Sequence, residues 1–214
     1  MKNANLSIDQ RLLAAQVAVD NALKDHKILE ALTAYGYEAN KITAGKTLYE
    51  EVSALVTLQK KEYGEQYEAT ETVNNAWESG DRAYMKTLKI ARIALRDSVT
   101  AQNALALNGF RKKSLSGWLR QAEIFYDNLL GDDAMLISLQ AYGYTREKLE
   151  AEKALVVVVR EANTIQEREK GEAREATEKR DTKLDEMDRW MGDFKQIALI
   201  ALEDNPQWLD KLGF

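Results

Sequence analysis

The 214-residue sequence contains no cysteine, one histidine and one proline. Without cysteine there are no disulfides, no thiolate metal ligands and no cysteine nucleophile. A single histidine, His26, excludes a helical-bundle di-metal centre, which needs at least one further imidazole in a Glu-x-x-His pair. A serine–histidine–carboxylate triad lacks its glycine-flanked serine turn, and no glycine-rich phosphate loop is present. The expectation is a chain with no catalytic site, no metal and no cofactor. The one proline, Pro206, leaves everything before it free of an obligate helix breaker.

Long apolar runs are missing too. The longest, Ala154-Leu155-Val156-Val157-Val158-Val159, is far too short to span a bilayer, so no membrane span is expected. The segment Met1–Ser7 has no apolar signal-peptide core, which together with the missing cysteines suggests a cytoplasmic protein. Net charge is −5, divided as −1 over residues 1–107 and −4 over 108–214, which argues against nucleic acid as a partner. With 45% hydrophobic and 30% charged residues the chain can both bury a core and solvate its surface, which excludes a disordered tail.

What is present is a repeat. Leu32-Thr33-Ala34-Tyr35-Gly36-Tyr37 matches Leu139-Gln140-Ala141-Tyr142-Gly143-Tyr144 at an offset of 107, and the same offset holds without a gap over nearly the whole unit. About a third of the aligned pairs are identical, including Glu68–Glu71 with Glu175–Glu178 and Asp81-Arg82 with Asp188-Arg189. Scattered alanines and leucines can match by composition; a fixed register with Tyr-Gly-Tyr cannot. The reading is therefore an all-α fold made by tandem duplication of a 107-residue helical-bundle unit, as two domains, 1–107 and 108–214.

Each unit is read as three or four helices. Leu12, Ala15, Val19 and Leu23 lie on one face of a first helix over 8–23, as Leu119, Ala122, Tyr126 and Leu130 do in the second copy. Asp25 and Asp132 are placed to N-cap a short second helix. Gly36 and Gly143 would end it in a left-handed turn, with Tyr37 and Tyr144 folding back onto the last turn. Beyond it, Gly64 and Gly171 sit in strongly polar stretches, with Lys60 and Lys61 before the first glycine and Glu65 and Glu68 after it. That charge order suits a helix end meeting a helix start, so a long helical hairpin is expected. Its rival is one continuous helix through both glycines.

Two surface features stand out. Lys86, Lys89, Arg92 and Arg96 form a basic stripe opposite the buried face of the last helix, followed by Arg111, Lys112, Lys113 and Arg120. The second copy has Asp193, Gln196, Leu199 and Glu203 at the stripe's positions, with Leu199 and Ile200 making that helix apolar all round. Such a helix needs cover from the C-terminal tail, the other repeat or another subunit. The leading expectation is a scaffold or protein-interaction protein, self-associating as a homodimer or binding a protein partner. The alternatives are a small-molecule-binding or enzymatic module with a pocket between the bundles lined by aromatics such as Trp77, Trp118, Tyr126 and Trp190, and an anionic-surface binder using the basic stripe.

Overall fold

A computed structural model describes residues 6–214 and is all-α, with no strand among the described residues. The helices are α1 (Ile8–Lys24), α2 (His26–Thr33), α3 (Ala39–Ala94), α4 (Val99–Ala104), α5 (Leu115–Leu130), α6 (Asp133–Gln140), α7 (Arg146–Ala201) and α8 (Gln207–Leu212). None of them is long and apolar enough to cross a membrane.

Local chemistry sets the boundaries of the short helices. Ser7 and Gln10 form a reciprocal capping box at the start of α1, each side chain accepting from the other's backbone N–H. Asp25 caps α2 by accepting from the Lys27 and Ile28 N–H groups, and Asp132 caps α6 through Met135. Gly36 and Gly143 both have φ of +77°, and the following tyrosine N–H in each case donates back to a leucine carbonyl, Leu32 or Leu139. That pattern satisfies carbonyls left open at the helix end and brings Tyr37 and Tyr144 into the core.

The hairpin expected at Gly64 and Gly171 does not form. Both glycines lie inside uninterrupted 56-residue helices, α3 and α7. Glycine costs only about 1 kcal/mol in a helix interior, a deficit the surrounding Lys, Glu, Gln and Ala residues readily outweigh. The charges that resembled two helix ends instead solvate one continuous helix, with Lys170 bonded to Glu167 at 2.8 Å and Lys179 paired with Glu175 at 2.7 Å. A Cβ added at Gly64 or Gly171 meets nothing within 4 Å. Gly64→Ala and Gly171→Ala are therefore each expected to stabilise the protein by about 0.5–1 kcal/mol. Urea denaturation measures this. A loss of stability in both variants is the result a left-handed turn at these positions would give.

Two compact units result, and they do not follow the sequence repeats 1–107 and 108–214. The terminal unit comprises the chain up to Tyr63 together with Glu172–Phe214; the middle unit is Gly64–Gly171. In the terminal unit the first half of α3 runs antiparallel to the second half of α7. Gly45 lies against Trp190, Lys183 pairs with Glu51 at 3.3 Å, and Arg180 donates to Gln59 at 2.7 Å. The middle unit repeats the arrangement with the other two halves, where Gln166 donates to Thr70 at 3.0 Å.

Each unit fills its own core. In the terminal unit, small residues on α1 (Ala18, Val19, Ala22) share a core with Phe194, Leu202 and Leu212, and with the half-buried Trp190, Trp208 and Phe214. In the middle unit the bulk sits on α5, as Trp118, Phe125, Tyr126 and Leu129, with Tyr84, Leu88 and Ala91 of α3. The swap is complementary at matched positions. Ala18 corresponds to Phe125, and Thr87 to Phe194. Where one unit carries bulk on its first helix, the other carries it on the opposing long helix, which preserves total core volume.

Candidate functional site

The basic stripe lies on the outer face of the last turns of α3 and, at Arg96, on the turn that follows it. Lys86, Lys89, Arg92 and Arg96 are all exposed, and none makes an ion pair among the described residues. Arg92 is partly committed, because its Nε donates to the Leu107 carbonyl at 2.8 Å. Ile93 lies among these cations and is 48% exposed. At the matched place on α7, Asp193, Gln196 and Glu203 are exposed around Leu199 and Ile200, which are 41% and 52% exposed. Of the covers considered for that helix, the C-terminal tail hides one side only. Trp208, Leu209 and Phe214 pack with Ile197, Ala198, Ala201 and Leu202, leaving Leu199 and Ile200 open to solvent.

The tryptophans and tyrosine named as possible pocket residues separate. Trp190 belongs to the terminal unit, stacked on Phe194 at 5.0 Å and edge-on to Tyr37 at 6.0 Å. Tyr126 is fully buried in the middle unit's core. Trp77 and Trp118 do come together, with ring centroids 6.1 Å apart, on the wall of an open cleft of about 490 Å³ in the middle unit. One face of α3 supplies Trp77, Asp81 and Met85; the segment leading into α5 supplies Arg111, Lys112 and Lys113; α5 supplies Trp118.

Hydrogen bonds fix the geometry of this cleft. The Trp118 indole N–H donates to Asp81 at 2.7 Å, which sets the ring plane and occupies one carboxylate oxygen. Arg111 is clamped from three sides: one Nη donates to the Tyr84 hydroxyl at 2.7 Å, the other to the Ala106 and Gly109 carbonyls. Its buried Nε has no acceptor. Lys112 and Lys113 are exposed and make no ion pair among the described residues. Glu78, next to Trp77 on α3, is paired with Arg82 at 3.5 Å.

A buried polar network beside the cleft escapes sequence reasoning. The Tyr126 hydroxyl donates to Glu152 at 3.1 Å, and the Thr87 hydroxyl donates to the same carboxylate oxygen. Burial, then the Glu152 charge and hydrogen bond, push the Tyr126 hydroxyl far above the ordinary tyrosine range. It stays protonated as the donor to Glu152. Tyr84 is also raised, chiefly by burial, with the Arg111 charge acting against it. Its one trace in the sequence is Glu152, a carboxylate where the other repeat has Gly45.

His26 is exposed at the start of α2, 4.0 Å from Glu30. Next to it, the Asp25 carboxyl is held below its usual range, mainly by the Lys211 ammonium 2.7 Å away. That contact ties α8 to the α1–α2 junction and is structural in character. No known family model, no curated protein and no solved structure matches this chain.

Proposed function

We propose that this is a non-catalytic helical interaction protein that associates with a second copy of itself. The observation that carries the reading is a pair of oppositely charged, apolar-centred faces. On α3, exposed Ile93 sits among Lys86, Lys89 and Arg96; on α7, exposed Leu199 and Ile200 sit among Asp193 and Glu203. Within one chain neither set of charges finds an ion-pair partner among the described residues. Apposed across two copies, the faces bury three large aliphatic side chains and bring opposite charges together. Apolar burial then supplies the affinity, and the charges supply register and association rate.

The absence of cysteine and the single, exposed histidine support a non-catalytic role, with no resident metal or cofactor. A cytoplasmic setting goes with the same reading, and the acidic net charge supports a protein partner over nucleic acid.

Sedimentation velocity at several concentrations tests it. The wild-type chain is expected above its monomer mass at high concentration, with association weakening as salt rises. Lys89→Glu with Arg96→Glu should abolish association, and so should Asp193→Lys with Glu203→Lys. Mixing the two variants should restore it. A wild-type chain that stays monomeric at every concentration overturns the proposal, as does association unaffected by either charge reversal.

A further inference from the structure

Comparison of the two repeats across the middle unit's cleft shows where they part company. Asp81 and its counterpart Asp188 are identical, yet they face different partners. In the terminal unit Asp188 is in a two-point ion pair with Arg11, the Nε bond measuring 3.1 Å. In the middle unit the residue at Arg11's position is Trp118, which uses its indole N–H on Asp81. Trp77 replaces Leu184, Met85 replaces Gly192, and Arg111-Lys112-Lys113 replace Ala4-Asn5-Leu6. These substitutions lie far apart in sequence, and all of them border one cleft. Ordinary core drift scatters; here the copy-specific residues converge.

Their chemistry is complementary in a particular way. Trp77, Trp118 and Met85 form an apolar, polarizable wall. The acids of the cleft are already engaged, Asp81 by Trp118 and Glu78 by Arg82. The cations Lys112 and Lys113 are not. The cleft therefore offers unsatisfied positive charge beside an aromatic surface, in a volume of about 490 Å³ that falls within the range of small-molecule sites.

We infer that this cleft is a binding site for a small organic carboxylate with an aromatic or aliphatic body. The body lies against Trp77, Met85 and Trp118, and the carboxylate is held by Lys112 and Lys113. In the terminal unit Arg11 stands at Trp118's position and pairs with Asp188, so the aromatic wall is not repeated among the described residues there. It is independent of the α3 and α7 faces assigned above to self-association.

Titration of the full-length ¹⁵N-labelled chain with naphthalene-2-carboxylate, indole-3-acetate and decanoate tests this. The indole N–H signals report on each tryptophan separately. At least one probe is expected to shift Trp77 and Trp118 saturably while leaving Trp190 and Trp208 in place. Naphthalene-2-carboxamide, which keeps the ring and loses the charge, should bind at least tenfold more weakly than the carboxylate. Lys112→Glu with Lys113→Glu should weaken binding at least tenfold without disturbing the fold, because both side chains are exposed. Trp118→Arg, which reproduces the Arg11–Asp188 arrangement, should abolish it. No saturable shift with any of the three acids overturns the inference. So does equal binding of the carboxamide, or binding indifferent to the lysine reversals.

Discussion

Phe125→Ala is expected to lower the unfolding free energy by about 4–5 kcal/mol, at the upper end of the range for removing a buried phenylalanine. The ring is fully buried and lies edge-to-face against both Tyr84 and Tyr126, 5.2 Å from each. The cost of such a truncation depends on how far the neighbours can collapse into the space. Here they are tethered. Tyr84 accepts from Arg111 at 2.7 Å, and Tyr126 donates to Glu152 at 3.1 Å. Moving either ring into the cavity breaks a buried hydrogen bond, so the cavity stays open.

Phe194→Ala in the terminal unit makes the comparison. That ring is equally buried, but its stacking neighbour Trp190 makes no side-chain hydrogen bond among the described residues, so once the phenyl ring is removed it can lean into part of the space. About 3 kcal/mol is expected there. Urea denaturation gives the totals, and hydrogen exchange of the α5 and α1 amides assigns each loss to its unit. If Phe125→Ala costs less than Phe194→Ala, the tethering explanation is wrong.

These two positions show what could be seen in the sequence and what could not. The helices α2 and α6 were legible because their signals are local, whereas α4 and α8 were not read as helices. Asp25 and Asp132 precede apolar periodic runs, and a glycine followed by a tyrosine marks each turn at 36 and 143. The buried face of α1 was legible from its 3.6-residue period, and Leu12, Ala15 and Val19 are buried. Gly64 and Gly171 were not legible. A glycine with helical φ and one in a left-handed turn are the same letter, and the flanking charges suit either state.

The make-up of the compact units lay further out of reach. Aligning the repeats pairs Gly45 with Glu152, whereas antiparallel packing pairs Gly45 with Trp190. Compensating differences between the copies were visible as single substitutions. Only the topology says which one answers which. The cleft follows the same logic. Trp77 and Trp118 were noticed as aromatics, and Arg111, Lys112 and Lys113 as an extension of the basic stripe. Nothing short of the fold brings the two groups to one place.

Gly45→Leu tests that pairing directly and is expected to cost about 2–3 kcal/mol. Gly45 is buried in α3, and a Cβ built there falls 2.3 Å from the Trp190 ring. The ring cannot swing away freely, since it is stacked on Phe194 at 5.0 Å and edge-on to Tyr37 at 6.0 Å. Overpacking of this kind outweighs the gain of about 1 kcal/mol that replacing a helical glycine with leucine otherwise brings. The repeat shows the same contest resolved the other way, since Glu152 stands at Gly45's position and Ala83 at Trp190's. Trp190→Ala on its own loses packing against Phe194 and Tyr37. In that background Gly45→Leu should become neutral or stabilising, because the clash is gone and the helix propensity remains. A double-mutant cycle by urea denaturation should then give a coupling of about 2 kcal/mol or more. Additive effects would mean that the tryptophan is not what keeps position 45 a glycine.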